Sequence, residues 1–416
     1  MMNFRLIYIL LFLLLSLNSR SQYTGNNFVV IPPHSTSEQV VELAAGVTPS
    51  QRQLNWQEME MTAFIHFTVN TYYDQEWGLG TEDPERFNPT QFDARQWVQT
   101  CREAGLKCII MTAKHHDGFC LWPSKCTDHS IAASPWRDGK GDLVKDVSDE
   151  CRRQGLKFGV YLSPWDRHEK SYGTDAYNEH FRNQLTELLT NYGRIDEVWF
   201  DGACGEGPNG KKQVYDWESY YKVIRKLQPQ AVIAIMGPDV RWVGTESGYG
   251  RETEWSVVPL ETSDQGTIAA SSQQKAETEG FRPPGDMTDL DLGSRKKIAD
   301  AKTLIWYPSE VDVSIRPGWF WHESENDRVK SPEKLLDIYF SSVGRNSLLL
   351  LNIPPDTRGL IHENDIKSLR VWRKALDDIF STNLANDAEI TVLKGGNTAN
   401  LKNLLDKNNA THWTTD

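Results

Sequence analysis

Between Ala94 and Met236 an amphipathic helical stretch repeatedly gives way, through a glycine or a short polar link, to a run of apolar and β-branched residues. Ala94 to Ala104, capped by Asp93, ends at Gly105 and leads into Lys107-Cys108-Ile109-Ile110-Met111-Thr112-Ala113. Leu143 to Gln154 ends at Gly155 and leads into Lys157-Phe158-Gly159-Val160-Tyr161-Leu162. Tyr177 to Tyr192 precedes Val198-Trp199-Phe200, and Val214 to Leu227 precedes Ala231 to Met236. Strands that are apolar on both faces and alternate with helices belong in a parallel sheet covered by those helices. At 416 residues the chain is long enough for one large barrel plus a small appendage, which fits better than three small domains. The expected fold class is therefore α/β, a (β/α)8-like TIM barrel.

The pattern extends in both directions. A short helix over Gln51 to Met59 precedes a strand at Ala63-Phe64-Ile65-His66-Phe67. A helix over Pro332 to Ser342, a closing strand at Ser347 to Pro355 and a last helix over Asp365 to Phe380 complete the far end. Between Gly237 and about Asp300 the recurrence loosens, with a polar segment from Ser263 to Thr278 read as an excursion loop, and regularity returns at Thr303 to Tyr307. Six to eight strands are expected, according to how this irregular region is placed.

The termini read differently from the middle. Met1 to Ser21 holds one early basic residue, Arg5, an apolar run from Leu6 to Leu17, and then Asn18-Ser19-Arg20-Ser21, the layout of a secretory signal peptide. The run is short for a membrane anchor and no cysteine lies near the cleavage position, so the expectation is an exported protein, periplasmic or extracellular, without stable membrane insertion after cleavage. Residues 22–384 are assigned to a leader and the catalytic barrel. From 385 to 416 the texture changes, and Ile390-Thr391-Val392 with Thr411-His412-Trp413 resembles the opening of a carbohydrate-binding β-sandwich of the discoidin type. It stops too early to be a folded domain, so the natural chain is expected to continue.

Removing residues 1–21 takes the formal charge from −12 to −14, which argues against nucleic acid or an anionic membrane as partner. The six cysteines show no zinc-type spacing; buried free thiols are expected, although an exported chain could join Cys120 to Cys126. Fifteen Trp and fourteen Tyr suit a ligand with apolar faces and hydroxyls, because rings stack on the former and their polar tips bond the latter. Sugars meet that description.

Ionisable side chains recur where strands end. His66, His115 with His116, Tyr161 with Trp165, and Asp201 fall at the ends of successive apolar runs, on the side where such barrels keep their active sites, and Glu246 and Glu252 follow in the next loop. The loop after the first strand adds Glu76 and Trp77, and Trp199 stands on the strand that delivers Asp201 into Gly202-Ala203-Cys204-Gly205. Asp before Gly is ordinary turn chemistry when met alone. A metal site at His115-His116 is disfavoured, since adjacent strand residues point to opposite faces and no further ligand cluster accompanies them. Two carboxylates with the aromatic platforms Trp77, Trp165, Trp319 and Trp321 are the equipment for glycoside hydrolysis without a cofactor.

Phe64-Ile65-His66-Phe67, Ala113 to Phe119, Val160 to Trp165, Val198-Trp199-Phe200-Asp201-Gly202 and Arg316-Pro317-Gly318-Trp319-Phe320 together resemble the retaining α-L-fucosidases of glycoside hydrolase family 29, in order, from about Thr48 to Phe380. The resemblance implies that Asp201 is the nucleophile and that His66, His115, His116, Trp165 and Trp319 contact fucose. Arg241-Trp242-Val243-Gly244-Thr245-Glu246 looks like the branch that prefers α-1,3 and α-1,4 linkages in branched glycans, which makes Glu246 the acid/base ahead of Glu252 and Glu254. The implied partner is a fucosylated oligosaccharide or glycoconjugate; the oligomeric state is left open. A fucose-binding, lectin-like protein on an inactive barrel, a retaining glycosidase for another sugar, and a metal-dependent hydrolase using His115 and His116 are the competing readings.

Overall fold

The computed structural model describes residues 26–272, 289–393, 398–406, 408 and 410–414. The expected signal peptide and the part of the polar segment beyond residue 272 lie outside the described residues. Numbered along the chain, the strands are β1 (Phe28–Val30), β2 (Met61–Ile65), β3 (Cys108–Lys114), β4 (Lys157–Leu162), β5 (Glu197–Phe200), β6 (Val232–Ile235), β7 (Arg241–Trp242), β8 (Val257–Pro259), β9 (Thr303–Trp306), β10 (Ser309–Ser314) and β11 (Ser347–Asn352).

Eight of them form one parallel sheet in the order β6-β5-β4-β3-β2-β11-β10-β7. Its two ends approach each other, for Ala234 bridges to Val240 and the Ile235 N–H donates to the Val240 carbonyl at 3.0 Å. The result is a nearly closed barrel of the (β/α)8 type, with a five-residue link and no helix between β6 and β7. A separate antiparallel sheet, β1-β9-β8, packs its own small cluster of Val258, Leu292, Ile305 and Tyr307.

The local causes are those visible in the sequence. Asp93 accepts from the Arg95 and Gln96 N–H groups and starts helix Ala94–Glu103, whose Trp97, Val98 and Cys101 face the core. Gly155, at φ +78°, ends helix Leu143–Gln154 in a left-handed turn that a side chain would oppose. Strands β2, β3 and β5 are buried along their whole length, which explains their unbroken apolar character. All six cysteines are free. Among the described residues no helix is long and apolar enough to cross a membrane.

Two expectations are corrected. Thr303 to Tyr307 does not resume the barrel; β9 belongs to the side sheet, and the barrel strand is Ser309–Ser314. That strand was missed because its buried residues include Glu310 and Asp312, which interrupt the apolar run expected of a barrel strand. Gln265–Ser272, expected as loop, is helical. Ile390 to Val392 form no strand, and the tail carries a single short turn of helix at Leu401–Leu404 among its described residues.

Candidate active site

At the carboxyl ends of the barrel strands lies a pocket of about 450 Å³. Asp201 is the first residue beyond β5, and its side chain remains 21% exposed. The Ala203 N–H donates to Asp201 Oδ1 at 2.6 Å and the Tyr161 hydroxyl to Oδ2 at 3.1 Å, so the carboxylate is held by its own turn and by the neighbouring strand β4. The turn also requires a bare backbone: a Cβ on Gly205 would fall 2.1 Å from the Trp165 indole.

Three imidazoles share the pocket. Asn352 at the end of β11 gives its two amide hydrogens to Ser314 Oγ and the Trp319 carbonyl, so its Oδ1 faces His66 as acceptor, 2.9 Å from Nδ1. The Ser163 hydroxyl spends its proton on the Trp165 carbonyl at 2.6 Å and therefore accepts from His116 Nδ1 at 2.7 Å. Both networks assign the proton to Nδ1 and leave Nε2 of His66 and His116 as acceptors. Burial drives both rings down to about 4, so they are neutral near pH 7. His115 is lowered further by burial and by its two neighbours, and it stacks on Tyr161 with centroids 5.6 Å apart.

His115 and His116 both line the pocket, with ring centroids 4.1 Å apart. The expectation of opposite faces is corrected: β3 ends at Lys114, so the pleat that forces alternation no longer applies to the pair. Among the described residues no cluster of three or more His, Cys, Asp or Glu could hold a metal.

Glu246 lies in the loop after β7, opposite these imidazoles. Trp319 Nε1 donates to its Oε2 at 3.1 Å. Burial first, then the charge of Asp312, with smaller contributions from Asp201 and Glu76, raise its carboxyl to about 8. The two rival glutamates are placed elsewhere. Glu254 is buried in a double ion pair with Arg241 at 2.6 Å and Arg251 at 2.9 Å, and Glu252 is exposed and outside the pocket. Glu76, Trp77, Trp199 and Trp319 also line the pocket.

Trp165 and Trp321 do not line it. Trp165 stands behind His116 at 4.9 Å and edge-on to Trp77 at 5.6 Å, its Nε1 tied to the Glu206 carbonyl. Trp321 faces His362. Asp312 and Phe64 do line the pocket. Asp312 had not been singled out. Trp242 Nε1 donates to Asp312 Oδ1 at 2.8 Å, and burial raises this carboxyl to about 8. Its signal was present: Glu310, Asp312 and Ser314 alternate with Val311 and Val313, the period-2 pattern of a strand with one polar face. Beneath them, Trp199 Nε1 donates to Glu310 Oε1 at 2.6 Å and Trp56 Nε1 to Glu197 Oε2 at 2.9 Å. Burial raises both of these carboxyls, and the charge of Glu197 raises that of Glu310 further.

Comparison with known proteins gives consistent matches. A family model described as alpha-L-fucosidase matches residues 41–374. Alpha-L-fucosidase 1 of Arabidopsis thaliana is 45% identical over 371 residues, covering 88% of this chain and 68% of that protein. The crystal structure of a glycoside hydrolase 29 family member from an unknown rumen bacterium is 47% identical with a TM-score of 0.72, covering 83% of this chain and 60% of that one. A Ruminococcus gnavus GH29 fucosidase in complex with fucose is 33% identical with a TM-score of 0.69, covering 82% and 70%. This chain thus spans less than two thirds of the rumen bacterial chain and about two thirds of the Arabidopsis protein.

Proposed function

The chain belongs to the α-L-fucosidase family, and on that premise we propose that it is an exo-acting, retaining α-L-fucosidase that removes terminal α-1,3- or α-1,4-linked L-fucose from branched glycans. One observation carries the chemistry: two carboxyls of opposite character line one pocket. Asp201 is solvent-accessible and held in place by Ala203 and Tyr161, whereas Glu246 keeps its proton up to about pH 8.

In the first step an Asp201 oxygen attacks the anomeric carbon while Glu246 gives its proton to the departing glycosidic oxygen, leaving a fucosyl ester on Asp201. In the second step Glu246, now ionised, takes a proton from water, which opens the ester and releases fucose with its configuration retained. Neutral His66 and His116 offer Nε2 lone pairs to sugar hydroxyls, and a Glu76 oxygen offers a further acceptor. Phe64 and Trp319 supply an apolar wall for the methyl group of a 6-deoxy sugar.

The linkage preference rests on the resemblance of the Arg241–Glu246 segment and on the long Thr68–Phe87 loop as a wall for a second sugar. The signal-like first 21 residues support export. A panel of fucosylated oligosaccharides tests the proposal. Free fucose should leave a Lewis-type trisaccharide faster than an unbranched α-1,2 end. Equal rates would remove the linkage preference, and no release from any member would leave the lectin-like reading standing.

A further inference from the structure

Glu76 reaches the pocket from the loop after β2, yet its carboxylate is held by the loop after β10. The backbone N–H of Trp319 donates to Glu76 Oε2 at 2.8 Å, that of Phe320 donates to Oε1 at 3.1 Å, and His322 Nε2 lies 2.6 Å from Oε1. The other ring nitrogen of His322, Nδ1, lies 2.5 Å from Asp74 Oδ1. A carboxylate oxygen on each side requires an N–H on each nitrogen, so the ring between them is an imidazolium. Space is reserved for it: a Cβ on Gly318 would fall 2.6 Å from Glu76 Oε1 and 3.0 Å from His322 Cδ2.

We propose that His322 is a positioning residue for the sugar-binding pocket, clamped between Asp74 and Glu76 so that one acceptor site of Glu76 stays aimed at a hydroxyl of the bound fucose. The count of lone pairs supports the aim. A carboxylate has about four acceptor sites. Phe320 and His322 fill those of Oε1, and Trp319 takes one on Oε2, which leaves one on Oε2 for the ligand. The clamp also joins the loops after β2 and β10, which contribute Glu76, Trp77 and Trp319 to the pocket wall, so fixing Glu76 fixes part of that wall. His322 does not itself line the pocket and acts only through Glu76.

The charge on His322 is durable. The hydrogen bond to Glu76 first, then that to Asp74, raise its proton affinity to about 9 against the opposing effect of burial. Asp74 and Glu76 are the ionisable groups that face the ring; Glu325 lies across the Gly318 backbone, whose N–H it accepts at 3.1 Å. Because the folded value is raised, the clamp is complete at neutral pH and lost as the pH rises through about 9.

The inference rests on the reading of the pocket as a fucose site, and the test keeps the two apart. L-Fucose affinity is measured by calorimetry for wild type, His322→Gln and Asp74→Asn between pH 6 and 10. Taking the ratio of variant to wild-type Kd cancels ionisations common to all three, including those of Glu246 and Asp312. His322→Gln should weaken binding about tenfold at pH 7, the scale of one displaced hydrogen bond to a charged group, with the ratio falling towards one above pH 9. Asp74 is 77% exposed and its replacement leaves the core untouched. Asp74→Asn should bind normally at pH 6 and lose affinity at a lower pH than wild type. Unchanged affinity in His322→Gln, or a ratio independent of pH in both variants, overturns the inference while fucose binding survives. Absence of fucose binding by wild type overturns the functional reading and this inference with it.

Discussion

The Tyr161 hydroxyl donates to Asp201 Oδ2 at 3.1 Å from a strand whose register pairs Tyr161 with Trp199, two residues before Asp201. The phenol thus reaches one step along the sheet to meet the first residue that leaves it. With the Ala203 N–H on Oδ1, this fixes the orientation of the carboxylate that the proposed mechanism uses for attack.

The two carboxyls should separate by the stereochemistry of rescue. Asp201→Gly should lower kcat on natural substrate by ~10⁴-fold or more, and azide filling the space should give the inverted β-fucosyl azide. Glu246→Gln should lose ~10²- to 10⁴-fold on natural substrate yet still form the ester from an activated aryl fucoside. Azide should then accelerate turnover and give the retained α product. The same configuration from both variants, read by NMR, would contradict the assignment of roles.

The proposed role of Glu246 implies a pH limit. A general acid must hold its proton, so kcat/KM should fall as the pH rises through about 8. After burial, the charge of Asp312 is the largest contribution to that raised value. Asp312→Asn removes the charge, so the alkaline limb should move to lower pH while the fold is retained. A limb unmoved in Asp312→Asn would show that Asp312 does not act on the acid.

Behind the pocket, Lys114 Nζ lies wholly buried, 2.7 Å from Asp166 Oδ2 and 3.0 Å from Gln184 Oε1. Lys114 directly precedes His115, and Asp166 directly follows Trp165, so this ion pair ties together the loops behind the imidazoles. Lys114→Met should cost about 3–5 kcal/mol, because it leaves Asp166 buried without its counter-charge. Adding Asp166→Asn should recover part of the loss. Urea unfolding of the single and double variants measures both, and a neutral Lys114→Met would refute the argument.

Activity should survive exhaustive treatment with EDTA. Nδ1 of His66 and Nδ1 of His116 already have partners in Asn352 and Ser163, and the proposed displacement needs only two carboxyls. Loss of activity restored by a divalent ion would revive the metal-hydrolase reading.

Much of this was legible in the chain, and the misses have physical causes. Asp93, Gly105 and Gly155 announce helix ends through interactions made within a few residues, so they read correctly. The strands β2 to β6 read correctly because burial on both faces leaves apolar runs. Strand β10 did not, since Glu310 and Asp312 are accommodated inside by the indole N–H groups of Trp199 and Trp242, partners contributed by other strands. Trp165, which the resemblance implies contacts fucose, packs against His116 and Trp77, an arrangement that no local pattern announces.

The sequence alone determined the parallel sheet, the alternation of helix and strand, and the delivery of His66, His115 and Asp201 to one end of it, because each depends on local periodicity and on which residues follow a strand. Only the tertiary structure decided which glutamate keeps a proton. Glu246, Glu252 and Glu254 are near neighbours in the chain, yet one is buried beside other carboxyls, one is exposed, and one is neutralised by two arginines. The same holds for His322, whose charge comes from Asp74 and Glu76 nearly 250 residues away. Proton affinity is set by burial and by charges within a few ångströms, and those distances exist only once the barrel has closed.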